Sequence, residues 1–264
     1  MANLDPALTD ALNRHGVFFK KKVLLALRTI DNVQVLAEEM GFTFGETRVV
    51  DILAQIMVKK RRVVFAIECK KVFSKRKTWV FFKDADTRFR VARELKGETN
   101  TSKLLTGNAD LPSVCSEGYE LDSSDTKLAD PNPVFKAGSQ IALAFLGLVR
   151  RRIKDAKTLE KKPDGERLIP VIITNAELLV AQSSFEDVNI ATGNFERDLD
   201  VASAQSVFLN HPSPSPETVA EDFRESVEED SWNHMFKESV WVINSGALGT
   251  VFNAEYLDWV FNDY

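Results

Sequence analysis

Three residues of types that act together in catalysis lie in two consecutive apolar runs of this sequence. Asp51 lies within RVVDILAQIM, and Glu68 and Lys70 lie at the end of VVFAIECK. A carboxylate inside an apolar strand costs free energy unless it is paired, hydrogen-bonded or bound to a metal. Two carboxylates beside an ammonium group can hold a hard divalent cation such as Mg²⁺ next to a group that handles a proton. The three residues therefore predict a divalent-cation site.

The two apolar runs must form a hairpin for these residues to meet. Both are short and rich in β-branched residues, which is typical of strands, and a basic KKRR tetrapeptide separates them. With the turn centred on residues 60–61, Leu53 faces Glu68 and Asp51 faces Lys70. Side chains alternate between the faces of a strand, so all three polar residues are expected on one side of the sheet. A turn with an odd residue count, or a bulge, would break this parity.

The pattern of Asp51, sixteen further residues and then Glu68-Cys69-Lys70 resembles the PD-(D/E)XK motif of the restriction-endonuclease-like nuclease superfamily. The resemblance includes a helix before the motif, a strand bearing the Asp, a short turn and a strand ending in Glu-x-Lys. It covers residues 16–95 and extends to later helical and apolar segments.

This resemblance implies an α/β fold with a restriction-endonuclease-like core, in which helices flank a central mixed β-sheet. It also implies metal-dependent hydrolysis of phosphodiester bonds in DNA, in restriction or phage defence. Carried over residue by residue, Asp51, Glu68 and Lys70 are the catalytic residues. Asp51, Glu68 and the carbonyl of Cys69 would bind the metal, Mg²⁺ or Mn²⁺.

The sequence also departs from the superfamily pattern. Val50 stands where the motif has Pro, and residues 16–30 lack the acid that many members carry in the first helix. Gln140 could match a helix glutamine seen after the motif in some members, although no Tyr follows it at the expected spacing. Three acids remain as alternatives for completing the acidic site: Glu38, Glu39 and Glu46.

Two other interpretations compete with catalysis. Asp51, Glu68 and Lys70 could form a structural ion pair on the surface of a sheet. The chain could also be a catalytically inactive nuclease fold that serves as a nucleic-acid-binding or scaffold subunit of a larger complex. Such a protein would bind DNA without metal and would tolerate the loss of Lys70.

Element patterns place this hairpin inside a larger unit. We expect a nuclease-like core over residues 1–185, with a loop insertion at about 97–133, and an acidic α+β extension over 186–264 packed on the core. Helices are predicted at residues 16–30, 84–95 and 134–154. Further strands are predicted at 33–36, 79–83, 168–174 and 239–244, and an acidic helix after the Pro-rich segment at 212–216.

Charge is distributed unevenly along the 264 residues. The formal net charge is −5, yet residues 59–96 hold 14 Lys or Arg against 4 Asp or Glu, whereas residues 213–264 hold 2 against 11. A local positive field can contact phosphates whatever the net charge, although a solvated basic surface explains the same run. The candidate phosphate contacts are Lys75, Arg76, Lys77, Arg88, Arg90 and Arg93.

Other classes are disfavoured by what the sequence lacks. There is no GxxxxGK[ST] or GxGxxG loop and no GxSxG elbow, and the 2 Cys allow no disulfide framework. The longest apolar run, residues 141–149, is too short to span a membrane. We expect a cytoplasmic protein whose partner is nucleic acid, DNA rather than RNA, and which forms a homodimer or joins a partner subunit.

Overall fold

The structure is a computed structural model of the chain. It describes residues 16–44, 46–73, 78–83, 88–96, 99–106, 112–122, 125–128, 132–159, 166–182, 187–195, 198–212 and 237–261. The acidic helix predicted after residue 216 and the basic residues Lys75, Arg76 and Lys77 lie outside these ranges. Within them, no helix is both long enough and apolar enough to cross a membrane.

Strands dominate the described chain. The helices are α1 (Gly16–Thr29), α2 (Pro133–Leu159), α3 (Leu248–Val251) and α4 (Ala254–Phe261). The first strands are β1 (Val33–Phe44), β2 (Glu46–Val58), β3 (Arg61–Lys70), β4 (Thr78–Lys83), β5 (Arg88–Lys96), β6 (Thr99–Thr106), β7 (Val114–Asp122) and β8 (Asp125–Leu128). The later strands are β9 (Glu166–Thr174), β10 (Glu177–Ala181), β11 (Val201–Ala204), β12 (Ser206–Pro212) and β13 (Lys237–Asn244).

These strands form one mixed sheet in the order β1-β2-β3-β9-β13-β12-β7-β4-β10-β11. The neighbours β3, β9 and β13 run parallel, and the β1–β2 and β2–β3 pairs are antiparallel hairpins. Strand β5 pairs with β6 and β9, and β8 pairs with β7. The predicted α/β class, with a large mixed sheet flanked by helices, is confirmed.

Each face of the sheet carries its own hydrophobic core. Helix α2 covers one face with residues spaced three and four apart, as an amphipathic helix requires. The buried positions are Val134, Ala137, Ile141, Ala144, Phe145, Leu148 and Val149. Helix α1 covers the other face through Val23, Leu24 and Leu27, together with apolar residues of α3 and α4. Strand β9, which confirms the strand predicted at 168–174, lies between the two cores. All nine of its residues are buried, as in a strand covered on both faces.

Two predictions for the middle of the chain are wrong. The segment predicted as a helix at 84–95 contains strand β5 over Arg88–Lys96, which forms a hairpin with β6. The segment expected to be a loop at about 97–133 contains β6, β7 and β8. Gly118, which looks like a loop residue, is a strand position at which an added Cβ would lie 2.7 Å from a ring carbon of Phe81. Close packing, rather than a turn, accounts for that glycine.

The C-terminal region is built into the sheet. Strands β12 and β13 lie between β7 and β9, and β13 pairs along its last four residues with β9. Residues beyond 200 therefore supply central strands of the sheet rather than a layer packed on a finished core. The sheet that positions the candidate site depends on them.

Candidate functional site

The β2–β3 hairpin has a tighter turn than the sequence predicts. Val58 pairs with Arg61, so the turn is the dipeptide Lys59-Lys60, and Lys59 adopts a left-handed conformation with a φ of 54°. The paired positions run to Ile52 opposite Ile67, which aligns Asp51 with Glu68. The predicted register, with Leu53 opposite Glu68, is wrong by two residues. Because an even shift preserves the alternation of side chains, the predicted parity is unchanged.

Strand β2 is distorted at Asp51. Val50 and Leu53 both enter the core beneath α2, although residues three apart on a regular strand point to opposite faces. On the neighbouring strand β1, Glu39 has a φ of 51°. This irregularity lies where β2 leaves its pairing with β3, and it allows the Asp51 carboxylate to contact helix α1 on the other face.

Asp51 is held by one contact on each carboxylate oxygen. Its Oδ2 accepts a hydrogen bond of 2.8 Å from the backbone N–H of Cys69. Its Oδ1 lies 3.6 Å from Nζ of Lys20 in α1. The first contact fixes the carboxylate against the end of β3, and the second brings a cation from outside the predicted motif.

Glu68 and Lys70 form the second half of the site. The Lys70 Nζ lies 2.8 Å from Oε1 of Glu68 and donates a 2.6 Å hydrogen bond to Oε1 of Gln140 in α2. Glu68 is 9% exposed, whereas the Lys70 side chain is 28% exposed. The residues predicted from the motif are therefore brought together, and the helix glutamine noted in the sequence touches the motif lysine.

Burial and like charge act on the acidic groups of the site. Burial raises the pKa of Glu68, and the charge of Asp51 raises it further, while Lys70 opposes both. Burial also raises the pKa of the Cys69 thiol well above 9.0. The thiol therefore stays protonated, and its side chain packs against the core on the α1 side. The role that the resemblance implies for Cys69 uses its backbone carbonyl, not its sulfur.

Lys20 is the site residue that sequence reasoning missed. Its side chain is 13% exposed, contacts Asp51 and donates a hydrogen bond to Glu39. Burial works to lower the pKa of Lys20, but the contacts with Glu39 and Asp51 outweigh it and raise the pKa. A signal was present in the sequence, because Lys20 shares a helix face with Val23, Leu24 and Leu27, which are buried.

The three acids left open by the sequence have different surroundings. Glu39 is joined to Asp51 through Lys20. Glu38 instead pairs with Lys21 and Arg28, at 2.6 and 3.0 Å. Glu46 pairs with Phe44 at the far end of the β1–β2 hairpin. Between Glu38 and Glu39, whose side chains the structure describes, Glu39 is the acid that shares a cation with the site.

The donor set suits a hard cation. Among the described residues, no three His, Cys, Asp or Glu side chains meet in a group that could hold a metal. The predicted metal ligands comprise two carboxylates on adjacent strands and one backbone carbonyl. Because Mg²⁺ keeps several of its waters and takes only one or two carboxylates from a protein, such a set fits it. Burial is the main cause of the raised pKa of Glu68, and the negative charge of Asp51 adds to it. A divalent cation between the two carboxylates would relieve that second contribution.

The predicted phosphate contacts are described only in part. Arg88, Arg90 and Arg93 lie on strand β5, rather than on the predicted helix, and Arg93 pairs with Leu168 of β9. Strand β5 thus brings basic residues beside β9, the strand that neighbours β3.

Comparison of the chain with protein-family models, curated proteins and solved structures gave no match. What the site can do chemically follows from its own residues. It presents two carboxylates on adjacent strands, two ammonium groups and an amide, and the Lys70 side chain is 28% exposed.

Proposed function

We propose that this protein is a metal-dependent nuclease with a restriction-endonuclease-like core, which hydrolyses phosphodiester bonds of DNA in restriction or phage defence. One observation carries the proposal. Asp51, Glu68 and Lys70 meet on the β2–β3 hairpin of a mixed sheet, and Lys70 is held by Gln140 from the helix that covers that face.

Asp51, Glu68 and the carbonyl of Cys69 would hold Mg²⁺ or Mn²⁺. When bound, the metal would supply Lewis-acid polarisation of a phosphoryl oxygen and a lowered pKa for a coordinated water. The chain itself fixes the ligands. The backbone N–H of Cys69 orients the Asp51 carboxylate, and burial keeps Glu68 in a region where charge interactions are strong.

Lys70 would act on the phosphate and on the attacking water. Its ammonium group can donate to a non-bridging phosphoryl oxygen and stabilise the charge that develops there. Gln140 and Glu68 restrict its position, so little reorganisation is needed when the substrate arrives. The water oxygen forms a bond to phosphorus and releases one proton to solvent, the bond from phosphorus to the leaving sugar oxygen breaks, and that oxygen takes up a proton from solvent.

A second candidate function has its own supporting observation. Lys20 and Lys70 already contact Asp51 and Glu68, so these carboxylates have cationic partners without any metal. The same contacts would suit an inactive nuclease fold that binds nucleic acid or acts as a scaffold. That protein would bind DNA in the presence of EDTA.

Cleavage assays separate the two functions. We expect circular plasmid or single-stranded DNA to be cut with Mg²⁺ or Mn²⁺ and not with EDTA, and Lys70→Ala to reduce the rate by at least ~100-fold. Lys83→Ala is the matched control, because Lys83 is an exposed strand lysine bound to Gln182, and it should cut at the wild-type rate.

Undiminished cleavage by Lys70→Ala would refute this mechanism. Tight DNA binding without cleavage, equal with and without metal, would establish the binding or scaffold function instead. An RNA of the same sequence in parallel reactions tests the expectation that DNA is the substrate.

A further inference from the structure

Lys20 occupies a position that the proposed chemistry does not require. It reaches the site from α1, on the opposite face of the sheet from α2 and Gln140. Its side chain is mostly buried, and it lies between Asp51 and the exposed carboxylate of Glu39, 64% of which is accessible. A buried lysine without a ligand or catalytic role needs another reason to be placed there.

The contact with Asp51 is on the oxygen that the backbone leaves unused. Oδ2 accepts from the Cys69 amide, and Oδ1 faces the Lys20 ammonium. The charge of Lys20 opposes that of any divalent cation that binds Asp51. Glu39 acts in the other direction, because it attracts the same ammonium and adds negative charge near it.

We propose that Lys20 is a built-in competitor of the divalent cation at Asp51, and that Glu39 sets the strength of this competition. The inference rests on the proposed function, since it assumes that Asp51 is a metal ligand. When a cation binds, Glu39 gives the ammonium of Lys20 a second partner. Lys20 is thus a positioning residue that tunes the metal affinity of the site.

The chain offers matched controls for both residues. Lys21 is the next residue in α1 and pairs with Glu38, the residue before Glu39. Lys21 and Glu38 carry the same charges as Lys20 and Glu39. Each lies one residue away from its counterpart, Lys21 in α1 and Glu38 in β1. Lys21 is paired with Glu38 rather than with Asp51, so variants of this second pair measure the general effect of a nearby charge.

Titration of the full chain with Mn²⁺ by calorimetry tests the inference directly. We expect Lys20→Met to lower the Kd for Mn²⁺ by about tenfold or more, because it removes a charge 3.6 Å from a ligand oxygen. Glu39→Gln should raise the Kd by about threefold or more, since Lys20 then loses one of its two carboxylate partners and interacts more strongly with Asp51. Lys20→Arg keeps the charge and should stay within about twofold of wild type, as should Lys21→Met and Glu38→Gln.

Thermal melts establish that each variant is folded. If Lys20→Met does not fold, Glu39→Gln alone tests the inference. Glu39 is exposed, and its substitution is expected to raise the Kd for Mn²⁺ rather than lower it. An unchanged Kd in the folded Lys20→Met or Glu39→Gln protein, or a shift matched by the Lys21 and Glu38 controls, overturns the inference.

Binding and cleavage measured together keep the two proposals apart. Tighter Mn²⁺ binding by Lys20→Met without cleavage by any variant supports the inference and contradicts the nuclease. Cleavage by wild type with equal Kd values in all variants supports the nuclease and contradicts the inference. If neither wild type nor Lys20→Met binds Mn²⁺, both are contradicted.

Discussion

Two groups of charged residues, each around a buried glutamate, lie at opposite ends of strand β3, and they differ in the balance of their charges. At the turn end, Glu166 is 3% exposed as a side chain and faces two arginines, Arg62 at 2.9 Å and Arg152 at 3.6 Å. At the other end, Glu68 faces Lys70 at 2.8 Å, but Asp51 also acts on it.

The counts of acids and bases explain the contrast. Among the ion pairs described above, one carboxylate contacts two cations at the turn end, whereas Asp51, Glu68 and Glu39 share Lys20 and Lys70 at the other end. A carboxylate that contacts two cations has its charge neutralised, and its role can be purely structural. A group with more acids than bases keeps negative charge that a further cation could neutralise. This difference favours a cation-binding site over a purely structural ion pair at Asp51 and Glu68.

The largest effect on stability is expected at the turn end. Glu166→Ala leaves Arg62 and Arg152 without their shared partner, and removing one member of a buried ion pair costs about 3 kcal/mol or more. Urea denaturation measures this loss. Asp155→Ala, which breaks an exposed pair with Arg151, should cost less than about 0.5 kcal/mol. A loss for Glu166→Ala as small as that of the control would remove the contrast between the two ends.

A smaller effect with a distinct pH dependence is expected for Glu68. Its folded pKa is raised above the usual 4.5 by burial and by Asp51. Between 4.5 and the folded pKa, the folded protein binds more protons than the unfolded chain, so the free energy of unfolding falls as pH rises. This stabilising contribution is fully present below about pH 4.5 and is lost as pH rises through the folded pKa.

Glu68→Gln should abolish that fall. In EDTA, the variant should gain stability relative to wild type as pH rises, by no more than about 2 kcal/mol. Urea titrations at several pH values measure the difference. A difference that stays constant with pH would show that Glu68 is as fully compensated as a structural ion pair.

The smallest effect is expected at the turn itself. Lys59 has a φ of 54°, a conformation that costs a residue with a side chain roughly 1 kcal/mol more than glycine. Lys59→Gly should therefore raise the free energy of unfolding by about 0.5 kcal/mol, after the loss of an exposed ion pair with Asp258. Lys60→Gly, at a position without positive φ, should lower it. Equal effects of the two changes in denaturant titrations would contradict this reading of the turn.

Local pattern predicted much of the fold and of the site. Alternation of apolar residues placed Asp51 and Glu68 on paired strands, and helical periodicity found α2 and therefore Gln140. The register was missed because KKRR carries no Gly or Asn to mark which two residues form the turn. The two-residue shift alone kept the alternation of side chains, but the distortion of β2 that turns Asp51 toward α1 was not predicted.

The features that were missed depend on contacts between distant parts of the chain. Residues 88–96 have the charged and aliphatic side chains of a helix, and pairing with β6 and β9 makes them a strand. Lys20 meets Asp51 only because α1 packs on the sheet beside β1. The local sequence pattern of α1 does not specify where this helix packs on the sheet.

The central position of β13 has a consequence for synthesis on the ribosome. Until residues 237–244 emerge, β9 has no β13 to pair with, and β12 lacks its partner as well. A nascent chain therefore presents two unpaired strand edges, which are prone to associate with other chains. Because Glu68 lies opposite Ile172 of β9, the part of β9 beside the acidic site gains β13 as its second neighbour only after residues 237–244 have been translated.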